Sequence, residues 1–418
     1  MEEIDAAEAA RRLGVKPATL YAYVSRGVLR RRPGSDGRRS MFDAAEVELL
    51  ARRGRPRRAA ETELVVESAV TALVGDRPYY RGRDVLALAG SARYEQVATW
   101  LWTGESEAFT DPVEEWRVAP EARAAVRAAQ RGLPADLTPL DRMPVIVTVL
   151  AGLDPLRFHL DPPAVVAAGQ TIVAGLVEGL PVPEGGARLD GSVARRLWSR
   201  LTTRPPDALL DVLDATMVLL ADHELAASTL AARVAASVRA DPYAVVLAGL
   251  GVLSGPLHGG ATIAAQRMLA DVRDPSDAAR VIGDRLRRGE RIPGLGHRVY
   301  SGADGRGGRL MGLLRAAVPG HERLAAAEAV IAEAGRRKLP APNADLAVAC
   351  LAGVAGMVAG GGAAIVAVAR TAGWLAHGME EYARGRMLRP RAVYTGPPPD
   401  PETCTAPLDV AGVTRGKL

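Results

Sequence analysis

The feature that constrains this chain most is its punctuation. From residue 61 onward, stretches rich in Ala, Leu and Val alternate with short breaks of Gly and Pro, the clearest at 254–261, 292–308, 339–345 and 385–397. Ala and Leu are strong helix formers, while Gly and Pro end helices. Strand-favouring aromatics make up only 4% of the residues, so an all-α fold is expected. Short runs at 65–68 and 79–86 leave room for one small hairpin before the helices start. A chain of 418 residues with 48% hydrophobic content can bury a large core and divide into two or three domains. No apolar run reaches the roughly 18 uncharged residues of a membrane span. The nearest, 347–369, reads as a buried helix pair. The acidic start lacks the layout of a signal peptide, and Cys350 and Cys404 make no disulfide or metal-ligand pattern. The expectation is a cytoplasmic protein with no metal site and no membrane contact.

Charge is unevenly spread. Residues 1–60 carry fourteen Lys/Arg against eight Asp/Glu, whereas the whole chain carries 53 against 48, so everything after residue 60 is nearly neutral. A nucleic-acid partner therefore belongs to the first sixty residues. There, Ala6, Ala9, Ala10 and Leu13 recur at helical spacing, Gly14 supplies a turn, and Pro17 starts a second helix with Leu20, Tyr23 and Val24 inward. A basic stretch from Arg30 to Arg39 and a third helix from about Asp43 complete a small winged helix-turn-helix. The segment resembles the DNA-binding domain of MerR and excisionase proteins. That resemblance points to Lys16, Thr19, Tyr21, Ser25 and Arg26 on the recognition helix. Arg30, Arg31, Arg38 and Arg39 are then available for phosphates of double-stranded DNA. A basic appendage that packs on its host and binds nothing is the plainer reading.

Six histidines are present, and three sit in compact contexts: His223 in "ADHELAAST", His258 in "SGPLHGGAT" and His297 in "PGLGHRVY". A lone histidine is more often structural than catalytic, and Asp345 in "KLPAPNADLAVA" has the look of a helix cap. Arg370, inside "IVAVARTAGWLAH", needs either an acidic partner or an anionic ligand.

Taken together, "YYRGRDVLALAGSARYEQVATWLWTGE", "DHELAAST", "GPLHGGA", "PGLGHRVY" with its following Asp-x-Arg, "PNAD" and "ART…RPR…YTG" resemble the citrate synthase family. They stand in the family's order and at comparable spacing over nearly everything after residue 60. The resemblance implies deprotonation of an acyl-CoA methyl group, addition to the carbonyl of oxaloacetate, and hydrolysis of the thioester. No resident cofactor is implied, because the CoA thioester is a substrate. Asp345 is then the base, His258 the donor to the thioester oxygen and His297 the group that polarises the carbonyl of oxaloacetate. His223, Arg306, Arg370 and Arg389 hold the dicarboxylate, with Arg389 reaching a partner subunit's site in a homodimer. Gly294, Leu295, Gly296 and Lys338 receive CoA. Arg389 beside Arg391 also reads as a basic surface patch, and Lys338 after Arg336 and Arg337 as a solvated helix end.

The organisation implied is a helix-turn-helix domain over 1–52, a linker over 53–60, a large domain over 61–260 and 359–418, and a small domain over 261–358. Ala226, Thr262-Ile263, Gly305 and the Leu-Ala-Val-Ala after Asp345 depart from the family pattern without removing a proposed group. They leave open whether acetyl-CoA or propionyl-CoA is taken, hence citrate or 2-methylcitrate. A DNA-binding regulator whose synthase body senses metabolites is a further alternative.

Overall fold

The computed structural model describes residues 3–13, 15, 17–25, 29–34, 40–44, 46–47, 66–112, 114–300, 302–390 and 395–396. They fall into two compact units, Met1–Glu67 and Ser68–Leu418. The linker 53–60 and the candidates Lys16, Arg26, Arg38 and Arg39 lie outside the described residues, as does most of the third helix expected from Asp43.

The first unit runs β1 (Glu3–Asp5), α1 (Ala6–Leu13), α2 (Pro17–Ser25), β2 (Arg32–Pro33) and β3 (Ser40–Asp43). β3 is central and antiparallel to both others, with Ile4 opposite Phe42 and Arg32 opposite Met41. Ile4, Ala9, Ala10, Leu20, Leu29, Phe42, Ala44 and Val47 form its core, and Tyr23 and Val24 pack against that core. The helix faces are those the spacing predicts. β1 is not, because three residues are too few for a period-2 pattern to show. Thr19 and Tyr21 stay exposed on α2.

The second unit starts with a sheet of β4 (Thr71–Val74), β5 (Arg77–Tyr80) and β6 (Arg83–Asp84). Its turns are two residues long: Gly75-Asp76, with Gly75 at φ +59°, and Arg81-Gly82, both at positive φ. Such turns suit the twist of paired strands. The hairpin therefore begins at Thr71 rather than in the run at 65–68. Fifteen helices follow among the described residues: α3 (Val85–Leu88), α4 (Tyr94–Thr103), α5 (Pro120–Arg131), α6 (Pro139–Leu153), α7 (Pro162–Glu178), α8 (Val193–Leu201), α9 (Leu209–Leu220), α10 (Ala227–Ser237), α11 (Pro242–Leu253), α12 (Gly259–Asp271), α13 (Ala278–Arg287), α14 (Gly305–Ala317), α15 (Glu322–Arg336), α16 (Ala344–Val354) and α17 (Gly361–Arg384). Thr138, Asp161, Ser192 and Asp241 cap α6, α7, α8 and α11 by accepting from a first-turn N–H, and Pro follows three of these caps.

The stretch 347–369 is the helix pair that the sequence predicts, α16 and α17. α17 is the axis of the body. It is buried continuously from Gly361 to Gly378, and α4, α7, α9, α10, α11 and α12 pack around it. Small residues let neighbours approach closely: a side chain at Gly373 would strike Asp222 and the carbonyl of Ala221. Where large groups meet instead, as at the fully buried Trp374, each contributes roughly 1.5–3 kcal/mol of apolar burial. The helix ends and breaks around α17 carry the polar residues.

Candidate active site

His258 lies on a tight turn, with its N–H bonded to the Gly255 carbonyl at 3.0 Å, and it immediately precedes α12. Its Nε2 is 2.8 Å from the Ser228 hydroxyl on α10, which also accepts the Trp374 indole N–H at 3.2 Å. Burial first, then the charge of Arg370, pushes the His258 imidazole down to about 4, so it is neutral at pH 7.

His223 follows the end of α9, and its Nε2 is 2.8 Å from the Tyr300 hydroxyl. The rings of His223 and His297 meet edge-on at 5.1 Å, and His297 lies 4.7 Å from Tyr300. His297 Nδ1 accepts the Val299 N–H at 3.0 Å. Burial and nearby arginines depress both imidazoles, and His223 feels Arg306, Arg370, His297 and His258 together. Arg306 is buried, bonded to Asp304 through Nε and Nη2, and its guanidinium carbon lies 5.6 Å from the Tyr300 ring centre. Burial works against its charge, but Asp304 wins and holds it well above the usual arginine value. Arg370, also buried, spends Nε on the Leu220 carbonyl at 2.8 Å, with the charge of Asp222 as its counterweight.

Asp345 is in the first turn of α16, but Asn343 does the capping by accepting from the N–H groups of Asp345 and Leu346. The cap reading of Asp345 therefore passes to its neighbour, and the Asp345 carboxyl is left to accept from Thr262 Oγ1 at 2.5 Å. Burial raises its pKa, while Thr262 and then Arg306 partly oppose the rise. The loop carrying His297 is strapped to the start of α16. Gly296 N–H donates to Ala341 O at 2.7 Å, Asn343 N–H to Gly294 O at 3.0 Å, and Asn343 Nδ2 to Gly296 O at 2.8 Å. Gly294 has φ +80°, and any side chain there would collide with Leu346. Asp304 completes the strap by accepting from the Arg306 N–H at the head of α14 and from the Ala344 N–H at the head of α16.

The site is thus built at helix ends and on the middle of α17: a neutral imidazole on a hydroxyl, a cluster of two imidazoles and a phenol beside two buried cations, and a half-buried carboxyl with a raised pKa. The citrate synthase C-terminal domain model matches residues 60–391, about four-fifths of the chain. The chain belongs to the citrate synthase family. It is a citrate synthase-type enzyme. A citrate synthase of Haloferax volcanii is 33% identical over 375 residues, covering 82% of this chain and 96% of that protein. A 2-methylcitrate synthase of Shewanella oneidensis is 31% identical over 86% of this chain and 98% of its own length. The citrate synthase of Thermoplasma acidophilum, solved in ternary complex with carboxymethyl coenzyme A and oxaloacetate, superposes with a TM-score of 0.66 over 80% of this chain and 95% of that one. At 24% identity that likeness speaks for the fold alone. A helix-turn-helix domain model matches residues 4–55.

Among the residues that the citrate synthase resemblance singles out, His223, His258, His297, Arg306, Arg370 and Asp345 converge. Gly294, Leu295 and Gly296 border them in the strap. Lys338, at the end of α15 with φ +54°, and Arg389 are both exposed. Ser228, Tyr300, Asp304 and Asp222 are functional candidates that were not singled out, although each lies inside or beside a motif that was. The signal was adjacency to a motif histidine or arginine, with nothing to say which side chain would turn toward it. His377 is wholly structural in position: its Nε2 is 3.2 Å from Asp222, and its Nδ1 is 2.5 Å from Arg233. No helix among the described residues is long and apolar enough to cross a membrane.

Proposed function

We propose that this chain condenses acetyl-CoA with oxaloacetate and water to give citrate and CoA. The observation that carries the reading is Asp345: a half-buried carboxyl with a raised pKa, within electrostatic reach of the buried Arg306 and Arg370, whose charges also act on the depressed imidazoles of His223, His258 and His297. An acyl methyl group is a weak carbon acid, so its removal needs a base closer to the working pH and a donor for the enolate oxygen. Asp345 takes the proton. The Ser228 hydroxyl, already an acceptor from Trp374, gives its hydrogen to His258 Nε2, leaving Nδ1–H to donate to the thioester oxygen. His297 accepts at Nδ1, so its Nε2–H is the donor that polarises the keto-acid carbonyl.

Arg306 and Arg370 hold the two carboxylates, with His223 beside them. Asp304 occupies one edge of Arg306 and leaves Nη1, and Arg370 keeps both Nη groups beyond its bond to Leu220. Addition gives a citryl thioester, and water then cleaves it to citrate and CoA. In this reading the Gly294–Gly296 loop and Lys338 receive CoA, and the part over 261–358 closes on 61–260 and 359–418 to exclude water. Arg389 serves the partner subunit of a homodimer. The head contacts double-stranded DNA through Lys16, Thr19, Tyr21, Ser25 and Arg26, of which Thr19 and Tyr21 are exposed on α2, with Arg30, Arg31, Arg38 and Arg39 on phosphates.

Release of free thiol with oxaloacetate and either acetyl-CoA or propionyl-CoA tests the reading. Turnover is expected in the wild type, with a loss of about 10²–10⁴-fold in Asp345→Asn, which keeps the bond from Thr262. No Asp345-dependent release with either thioester overturns it. Faster release with propionyl-CoA moves the product to 2-methylcitrate, the alternative that the Thr262-Ile263 departure leaves open and that the Shewanella relative is named for. For the head, a gel shift should weaken with salt and with Arg38→Ala/Arg39→Ala.

A further inference from the structure

Away from this site, one face of the body holds more positive charge than the fold neutralises. α8 sets Arg196 and Arg200 one turn apart, and α5 does the same with Arg123 and Arg127. α5 lies against the end of α7, where a side chain at Gly179 would strike Val126. There the buried Glu178 meets Arg196 at 2.6 Å and Arg123 at 3.4 Å. Arg200 is only 6% exposed, yet among the described residues its Nε and Nη1 have no hydrogen-bond partner, and neither does Nε of Arg127. Arg188, exposed on the loop between α7 and α8, is close enough for its charge to act on both. Glu115 and Glu95 bear on Arg196, while Glu178 is the carboxylate that bears on Arg200 and Arg127. Burial and then repulsion from Arg188 and Arg127 push the Arg200 guanidinium down to about 10.

Five guanidiniums around one carboxylate that is already paired is an arrangement a folded chain keeps only at a cost. Guanidinium forks match the paired oxygens of phosphate and carboxylate groups, and a buried N–H left without an acceptor is where such an oxygen fits. We propose that Arg127, Arg188 and Arg200 form a binding site for a multiply charged oxyanion, separate from the condensation site. Its chemistry is that of a phosphate-bearing or polycarboxylate ligand, with Arg200 as the buried floor and Arg127 and Arg188 as the rim.

Thermal unfolding of the full chain tests this with pyrophosphate and, in a second arm, tricarballylate, each against sodium chloride of equal ionic strength. The midpoint of the wild type should rise saturably by a few degrees with at least one of them, and the arm that acts names the ligand class. The double variant Arg127→Gln/Arg188→Gln changes two rim residues outside the condensation machinery. It should fold normally and lose the rise, and calorimetry should count one oxyanion site fewer per chain than in the wild type. A rise no larger than that of chloride overturns the proposal. So does a rise of equal size in the double variant, because the anion would then be binding elsewhere.

Discussion

The two walls of the site are held by different means. His223, His258 and Arg370 sit at or in helices α9, α12 and α17, which belong to the main core: Tyr80 of β5 bonds the chain at Asp222 beside His223, Ser228 of α10 holds His258, and the Leu220 carbonyl at the end of α9 holds Arg370. His297, Arg306 and Asp345 belong to a loop and two helix starts that are tied to one another by backbone bonds, Asn343 and Asp304. The first wall takes its geometry from separate hydrogen bonds, one to each place, set within the packed core. The second takes it from a few polar ties shared by all three groups. A fault in the first should therefore be local, and a fault in the second should spread.

The sharpest way to break that contrast is Asp304→Ala. It removes the cap of α14 and one acceptor at the head of α16, and leaves Arg306 buried without its counter-ion; the expected loss is about 3–5 kcal/mol in a urea titration, together with nearly all turnover. A loss under about 1 kcal/mol would mean the strap does not depend on it. On the other wall, Ser228→Ala removes one hydroxyl and should lower kcat by about tenfold, as expected for a hydrogen bond worth about 1 kcal/mol or a little more, without changing the affinity for the keto acid. Tyr300→Phe frees His223 Nε2 and should weaken keto-acid affinity by a few-fold at nearly unchanged kcat; a fall in kcat alone would place Tyr300 in the chemistry instead.

Thr262→Val is the smallest change and the most diagnostic. Thr262 favours the charged form of Asp345, so its loss raises the carboxyl further, and the acid limb of the pH–rate profile should move to higher pH. The three imidazoles make a prediction for stability. Burial depresses each in the folded state, so the unfolded chain binds more protons. Their contribution is fully present above about pH 6.5 and is lost as the pH falls toward the folded values, about 4 for His258. The melting midpoint should accordingly begin to drop below about pH 6.5, and less steeply in His258→Gln.

Much of this site could be read from residue order, because His258, His297, Arg306 and Asp345 each lie at a Gly- or Pro-marked break, and breaks between long helices come together at helix ends. The motifs also carried the fold, since long Ala/Leu/Val runs leave little choice but helices. What stayed hidden is pairing across distance. Ser228 and His258 are 30 residues apart, His223 and Tyr300 are 77 apart, and Thr262 and Asp345 are 83 apart. Local preference says nothing about which of these meet. Asp345 shows the same limit at close range: capping chemistry suits both Asn343 and Asp345, and only the extended backbone at Asn343 decides which one caps. The Arg200 cluster was invisible for a different reason. In sequence it looks like ordinary amphipathic arginine spacing, and its oddity lies in an acceptor that never arrives.

Asp304 has one more consequence. Because a single carboxylate bonds the heads of both α14 and α16, Arg306, proposed to grip the keto acid, and Asp345, proposed to remove the acyl proton, cannot be tuned independently. A change that loosens Arg306 to admit a larger keto acid also displaces Asp345, so evolution toward new keto acids must work through the residues around Arg370 and His223, on the opposite wall. The acyl partner carries no such interlock, since Thr262 and the turn of His258 can vary while the strap stays whole. Divergence among enzymes built this way should therefore be easier in the thioester they accept than in the keto acid they join it to.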